Sequence, residues 1–208
     1  MTQTAIPPGF PHLVLASSSA YRKELLARLQ LPFDAISPDI DETPASGEQP
    51  EQTALRLARQ KSEAVSSSNP GSLIIGSDQV ATLDGEQIGK PGNHENALRQ
   101  LIKMRGRRVI FHTALCLLDN RGKKPSIQIE NIQTFVTLRN LSETELDAYL
   151  RIEQPYDCAG SAKNEGLGIA ILEKVESVDP TALTGLPMIA LSGMLRRAGV
   201  VFFSGGKP

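Results

Sequence analysis

Tryptophan is absent from this sequence, and aromatic residues make up only 4% of its 208 positions. Proteins that stack on nucleic-acid bases need exposed aromatic side chains, so this scarcity argues against a broad base-stacking surface. Positive and negative charges nearly cancel, at a formal net charge of −1, and no overall field attracts nucleic acid or an anionic membrane. We therefore expect neither a nucleic acid nor a membrane among the partners of this protein.

Cysteine is scarce, and long apolar runs are absent. Cys116 and Cys158 have neither the spacing of a metal site nor the number that a disulfide framework requires. No stretch approaches the ~18 uninterrupted apolar residues of a membrane span. The first residues lack the pattern of a signal peptide. We expect a cytoplasmic protein, because a reducing compartment is the default for such a chain.

The order of the apolar runs predicts a mixed fold, α/β or α+β, around a mixed sheet. We predict one domain over residues 12–198, with a loose N-terminal tail over 1–11 and a C-terminal tail over 199–208. Strands are predicted at 13–16, 33–37, 73–76, 80–83, 86–89, 109–118, 127–138 and 169–172. Helices are predicted from residue 20, over 48–71 with a turn at its end, over 93–104, over 142–152 and from residue 186.

The first predicted strand leads through three serines, 17–19, into a helix that begins at Ala20. Arg22 and Lys23 fall in the first turn of this helix, where the positive end of the helix dipole disfavours cations. An anion bound at the helix N-terminus would resolve the conflict, since backbone N–H groups, hydroxyls and cations would all face it. The alternative is an ordinary serine N-cap followed by two solvated cations.

Two acidic positions follow predicted strands. Asp78 comes directly after the run 73–76, and ligands of open α/β sheets gather at the carboxyl ends of strands. It could be a general base or a metal ligand, or simply an aspartate that begins a turn. The stretch with Asp39, Asp41 and Glu42 could supply the oxygen ligands that Mg²⁺ or Mn²⁺ prefer, or could be a solvated acidic loop.

Two lysines and one loop complete the set of candidate groups. Lys61, inside a helix, and Lys90, after a glycine, could each pair with a phosphate or face water. The loop over 158–166 contains glycines and both signs of charge, a weak signal for close approach to a ligand. Taken together, an anion site, a carboxylate cluster and two lysines suit phosphoanhydride hydrolysis, in which cations neutralise phosphates while a carboxylate directs water.

Seven short motifs occur in one order through most of the chain. They are Leu15–Arg22, Pro38–Thr43, Leu57–Lys61, Gly76–Gln79, Gly89–Pro91, Ala159–Gly160 and Gly185–Pro187. In this order they resemble the Maf family of nucleotide pyrophosphatases. The resemblance implies a two-lobed fold like that of the inosine-triphosphate pyrophosphatases, with a long mixed sheet and a central cleft. It also implies cleavage of a nucleoside triphosphate to a monophosphate and pyrophosphate, with Mg²⁺ or Mn²⁺, by a homodimer.

The same resemblance implies a role for individual residues. Asp78 matches the family's catalytic carboxylate, the proton acceptor for water, and Glu42 matches the acidic residue that helps to hold metal or water. We therefore expect Glu42 and Asp78 to be the metal ligands. The phosphate-site positions of the family are matched by Ser17, Arg22, Lys61 and Lys90. One departure is Ala20, where the family usually has proline, and no functional group is lost there.

Three further positions concern the base. Tyr21, Gln79 and Glu165 resemble the branch of the family that hydrolyses 7-methyl-GTP, whereas the dTTP and UTP branch typically carries arginine in place of Tyr21. N7-methylation makes the guanine ring cationic, and a tyrosine face can stack on a cation for roughly 0.5–2 kcal/mol. A glutamate can accept hydrogen bonds from the base and offset its charge. The alternative for Tyr21 is a core residue of its helix.

The sequence is compatible with three functions. The favoured one is a pyrophosphatase that converts 7-methyl-GTP to 7-methyl-GMP and pyrophosphate. The nearest alternative is the same chemistry on dTTP, UTP or another modified nucleotide. The alternative from another class is a nucleotide-binding regulator of septum formation that has no turnover.

Overall fold

The computed structural model describes residues 10–203, which form a seven-stranded mixed sheet with five α-helices. The strands are β1 (His12–Ala16), β2 (Phe33–Ile36), β3 (Ser72–Leu83), β4 (Glu86–Ile88), β5 (Arg108–Asp119), β6 (Ser126–Leu138) and β7 (Leu172–Ser177). The helices are α1 (Ala20–Ala27), α2 (Pro50–Ala64), α3 (His94–Met104), α4 (Glu143–Glu153) and α5 (Met188–Arg197). The predicted mixed α/β fold is confirmed; the parts of the predicted tails at 1–9 and 204–208 lie outside the described residues.

The sheet has the order β2-β1-β3-β5-β6-β7, with β4 paired to β3. The pairs β1–β2 and β1–β3 are parallel, and all the other pairs are antiparallel. Among the described residues, no helix combines the length and the apolar character needed to cross a bilayer.

Two apolar clusters divide the molecule into two lobes. The first cluster packs α1 and α5 on β1 and on one half of β3, where Leu73 and Ile75 point into it. The second packs α3 and α4 on the other half of β3, which contributes Ala81 and Leu83. The strand β5 likewise contributes to both clusters. The long strands therefore run through both lobes, and the polar middle of β3 lies where the lobes meet.

The prediction that a strand ends at residue 76, with Asp78 after it, is wrong. β3 continues without a break from Ser72 to Leu83, so Asp78 lies in its interior. The polar stretch 77–79 is typical of a turn, but β5 pairs with it throughout, Asp78 opposite Ala114. What does end nearby is the parallel neighbour β1, whose last residue, Ala16, is in register with Gly76. Asp78 therefore lies just beyond the carboxyl end of β1, where the sheet is open to a ligand.

The predicted strand at 169–172 is also wrong. Residues Leu167–Ile171 form a 3₁₀ turn, and β7 begins only at Leu172. Gly168 and Ile171 are buried while Ile169 is 59% exposed, so the buried positions recur every three residues, which suits a 3₁₀ turn rather than a strand. The short apolar run alone did not distinguish these two conformations.

A close contact between α2 and β3 sets the position of the helix over the sheet. A Cβ atom added at Gly76 would lie 2.1 Å from the backbone oxygen of Ala58, so only glycine permits this approach. Lys61 follows Ala58 by about one helical turn. The contact at Gly76 therefore brings Lys61 over the interior of β3, beside Asp78.

Candidate active site

A cleft of about 820 Å³ brings together the nine residues that the family resemblance assigns to the site, whereas Asp39 and Asp41 do not line it. Its lining includes Ser17, Tyr21, Arg22, Glu42, Lys61, Asp78, Gln79, Lys90 and Glu165. They come from β3, from α1 and α2, and from the irregular segments between the regular elements. Motifs that are far apart in the chain thus meet in one cavity.

Lys61 joins two carboxylates at the bottom of the cleft. Its Nζ lies 2.7 Å from Asp78 Oδ1 and 2.7 Å from Glu42 Oε1. Lys61 and Asp78 are buried, whereas the Glu42 side chain is 54% exposed. The arrangement fixes Asp78 and leaves Glu42 at the mouth, where it can reach a bound ligand.

The pKa values of the two carboxyl groups shift in opposite directions. Burial raises the pKa of Asp78 above its ordinary value and outweighs the nearby positive charges of Lys61 and Arg22. Burial also acts to raise the pKa of Glu42, but the hydrogen bond and charge of Lys61, with the charges of Lys90 and Arg22, lower it overall. Asp78 is therefore the better proton acceptor and Glu42 the more firmly ionised carboxylate.

Arg22 faces into the cleft rather than into solvent. Its Nε donates to the backbone oxygen of Gly185 at 2.8 Å, and its Nη1 lies 3.5 Å from the Ser17 hydroxyl. Burial lowers the pKa of Arg22, against the opposing charges of Asp78 and Glu42. The serine N-cap also exists, since Ser19 accepts a hydrogen bond from the Arg22 backbone N–H at 3.3 Å. The cation in the first turn of α1 thus belongs to the cleft.

Lys90 and Glu165 are exposed residues at the edge of the cleft. Lys90 lies in the loop after β4, and its charge contributes to the lowered pKa of Glu42. Tyr21 is half-buried and lies outside the apolar clusters that the described residues form. The alternative of a core tyrosine is therefore wrong, because this side chain lines the cleft.

Several polar residues of the cleft were not predicted individually. The Ser77 hydroxyl lies 2.8 Å from the backbone oxygens of both Gly185 and Ala114 and shares its one proton between them. It thereby links β3 to Gly185, whose backbone oxygen also accepts from Arg22. Lys163 pairs with Glu153 at 2.7 Å, and Asp157 lines the same wall. Ser77 lies inside the motif Gly76–Gln79, and Lys163 lies inside the loop 158–166. The sequence therefore indicated these two positions but not the contacts that they make.

The oxygen donors of the cleft fit a divalent cation that arrives with phosphates. In the described part of the chain, no three His, Cys, Asp or Glu side chains are grouped to hold a metal ion. Asp78 and Glu42 each give one oxygen to Lys61, and each has a second oxygen. Mg²⁺ is commonly held by one or two carboxylates together with substrate phosphates rather than by a complete protein cage.

Comparison with known proteins identifies the family. The family described as "Maf-like protein" matches residues 12–198. A "7-methyl-GTP pyrophosphatase" of Cupriavidus metallidurans is 65% identical over 193 residues, which cover 93% of this chain and 96% of the relative. One of Ralstonia nicotianae is 63% identical over 194 residues, which cover 93% and 99%.

Among solved structures, the Staphylococcus aureus Ham1 protein has 18% identity and a TM-score of 0.45, covering 62% of this chain and 72% of that one. That likeness is partial, whereas the family match spans nearly all of the described residues. The chain belongs to the Maf family.

Proposed function

We propose that this protein is a nucleoside triphosphate pyrophosphatase that hydrolyses 7-methyl-GTP to 7-methyl-GMP and pyrophosphate. The observation that carries the proposal is that a single cleft holds both a phosphate-type set of groups and the three residues of the predicted base site. The relatives named 7-methyl-GTP pyrophosphatase, at 65% and 63% identity, support the same substrate.

The proposed reaction is attack of water on the α-phosphorus. Asp78, with its raised pKa, accepts the proton of the water as the new P–O bond forms. The bond from the α-phosphorus to the bridging oxygen breaks, and pyrophosphate leaves with that electron pair toward Arg22 and Lys90. Lys61 keeps Asp78 oriented through its 2.7 Å hydrogen bond. Asp78 and Glu42 would hold Mg²⁺ or Mn²⁺, which neutralises charge on the phosphate oxygens when bound.

The charges of one cleft wall suit a cationic base. The segment 157–165 contributes Asp157, Lys163 and Glu165 to the lining. The ion pair with Glu153 offsets the positive charge of Lys163. The carboxylates of Asp157 and Glu165 then remain as the charges of this wall. The ring of a 7-methylguanine would stack on Tyr21 while these carboxylates offset its positive charge.

Release of pyrophosphate from a panel of nucleotides, with Mg²⁺ or Mn²⁺, tests the proposal. We expect the highest kcat/KM for 7-methyl-GTP, with unmethylated GTP as the matched control for ring charge. Equal rates on 7-methyl-GTP and UTP would contradict the substrate and favour the dTTP and UTP alternative. Binding without pyrophosphate release from any nucleotide would favour the non-catalytic regulator. The position of Asp78 beside Lys61 argues against that alternative, because binding alone does not require it.

We propose a homodimer from the family resemblance, and a cytoplasmic location and one domain over 12–198 from the sequence itself. Sedimentation of the purified protein would test the dimer, since a monomer at micromolar concentration would contradict it. Cell fractionation would test the compartment, since recovery of the protein outside the cytoplasmic fraction would contradict it.

A further inference from the structure

The amide group of Gln79 is held in one orientation by acceptors behind it. Its Nε2, which carries two protons, lies within hydrogen-bond distance of three acceptors: Thr113 Oγ1 at 2.9 Å and the backbone oxygens of Ala182 and Leu183 at 3.0 Å each. Carbonyl oxygens only accept hydrogen bonds, so they favour the NH₂ group over the amide oxygen at this position.

Thr113 removes the remaining freedom of this amide. Thr113 lies directly opposite Gln79 in the β3–β5 pairing and is fully buried. Its own hydroxyl proton is directed to the backbone oxygen of Ala182 at 3.0 Å. The hydroxyl therefore presents a lone pair to Gln79, and it cannot donate to the amide oxygen if the amide turns over.

The amide oxygen of Gln79 faces the cleft. It makes no hydrogen bond to a described residue, and the only buried side-chain polar atom without a partner in that part of the chain is Asn131 Oδ1. Gln79 lines the cleft, so its free oxygen is open to a bound ligand. A freely turning amide could offer a donor or an acceptor, but this one offers an acceptor alone.

We propose that Thr113 is a positioning residue that sets base specificity by presenting Gln79 to the substrate as a fixed hydrogen-bond acceptor. The inference rests on the proposed function and deepens it. A fixed acceptor pairs with a ring N–H, as at position 1 of guanine, and opposes the lone pair at position 1 of adenine. A site built on such a hydrogen bond rejects a base that leaves its polar atom unpaired.

The test compares Thr113→Val with Thr134→Val. Thr134 is also a fully buried strand threonine, but its hydroxyl donates to Ser177 in β7, outside the cleft lining. We expect Thr113→Val to reduce the ratio of kcat/KM for 7-methyl-GTP over ATP by about fivefold to tenfold, the loss of roughly one hydrogen bond. The KM for 7-methyl-GTP should rise with little change in kcat. Thr113→Ser, which keeps the hydroxyl, should restore the ratio.

A second measurement does not depend on the substrate. Hydrogen exchange of the Gln79 side-chain amide, followed by NMR, should be slow in the parent protein and in Thr134→Val and faster in Thr113→Val. Equal exchange in all three proteins, or an equal loss of both substrates in the two valine variants, would overturn the inference. If the parent protein did not hydrolyse 7-methyl-GTP, the proposed function would fail, and the exchange measurement would still decide the role of Thr113.

Discussion

Lys61 is a buried ammonium group with two carboxylate partners, and this pairing determines the residue-scale behaviour of the site. A buried charge is costly unless it is paired and hydrogen-bonded. The bonds of Lys61 to Asp78 and Glu42 meet that requirement. Asp78 nevertheless has a raised pKa, which means that folding penalises its ionised form in spite of Lys61. The catalytic candidate is thus held at a cost to stability.

Replacement of Asp78 by asparagine should separate activity from stability. Removal of the proton acceptor should lower kcat by about 10²–10⁴-fold. A carboxyl whose folded pKa is raised favours the folded state when protonated, and that contribution is lost as pH rises through the folded pKa. At pH 7 the neutral asparagine avoids this penalty, so the melting temperature of Asp78→Asn should equal or exceed that of the parent.

Exposed Glu173→Gln on β7 is the control for removal of a carboxylate outside the cleft lining, and it should retain full activity. If Asp78→Asn retained turnover near the parent rate, Asp78 would not be the proton acceptor.

Tyr21 determines, in our proposal, how the cationic ring is bound. Tyr21→Arg removes the stacking face and introduces a like charge, so kcat/KM for 7-methyl-GTP should fall by about 2- to 30-fold, the equivalent of roughly 0.5–2 kcal/mol. Tyr21→Phe keeps the ring and should preserve the preference. Steady-state kinetics on 7-methyl-GTP and UTP measure both variants. An unchanged preference in Tyr21→Arg would rule out stacking on this residue.

At the scale of elements, the contact of α2 with β3 determines whether Lys61 reaches Asp78. Gly76→Ala would place a methyl group 2.1 Å from the Ala58 oxygen, so the helix must shift outward. We expect a loss of about 1–3 kcal/mol in the free energy of unfolding, together with reduced turnover. Urea denaturation and pyrophosphate release measure the two effects.

Gly193→Ala on α5 is the matched control for Gly76→Ala. A Cβ at Gly193 would meet only the end of the Arg197 side chain, at 3.4 Å, and alanine is a better helix former than glycine. This variant should be as stable as the parent or more stable. Equal stability of Gly76→Ala and the parent would show that the helix tolerates the displacement.

The segment that carries Glu42 has no regular secondary structure, and an ion pair ties it to α2. Arg56 binds both carboxylate oxygens of Glu48, at 2.7 Å each, and its Nη2 lies 3.1 Å from the backbone oxygen of Thr43. Glu48 also accepts from the Ala45 backbone N–H at 3.0 Å. This pair holds the segment beside the helix that carries Lys61.

The Glu48–Arg56 pair should make stability depend on pH. The hydrogen bond of Arg56 lowers the pKa of Glu48 from 4.5 to about 2. A lowered carboxyl pKa contributes stability that is complete above about 4.5 and is lost as pH falls toward 2. The difference in urea midpoint between the parent and Glu48→Gln should therefore be largest near pH 6 and should narrow by pH 3. A difference that did not change with pH would contradict the ionic role of Glu48.

At the scale of the whole molecule, local sequence signals predicted the starts of elements well. The pairings between strands that are distant in the chain could not be predicted from such signals. The helix predicted over 142–152 is observed as α4, and its capping box joins Ser142 and Glu145, two partners within one turn of each other. The continuity of β3 was missed, because the partner of Asp78 is Ala114 on another strand and no local pattern reveals it. The motifs named the residues of the cleft, while contacts such as Ser77 with Gly185 required the folded chain.

The passage of β3 and β5 through both lobes has a mechanical consequence. Two continuous strands of 12 residues each, rather than a flexible linker, connect the apolar clusters under the cleft. A hinge motion of one lobe against the other would have to bend these paired strands and disturb both cores. The paired strands at the floor of the cleft therefore resist bending. We expect a nucleotide to enter by movement of the irregular walls, residues 37–49 and 154–166.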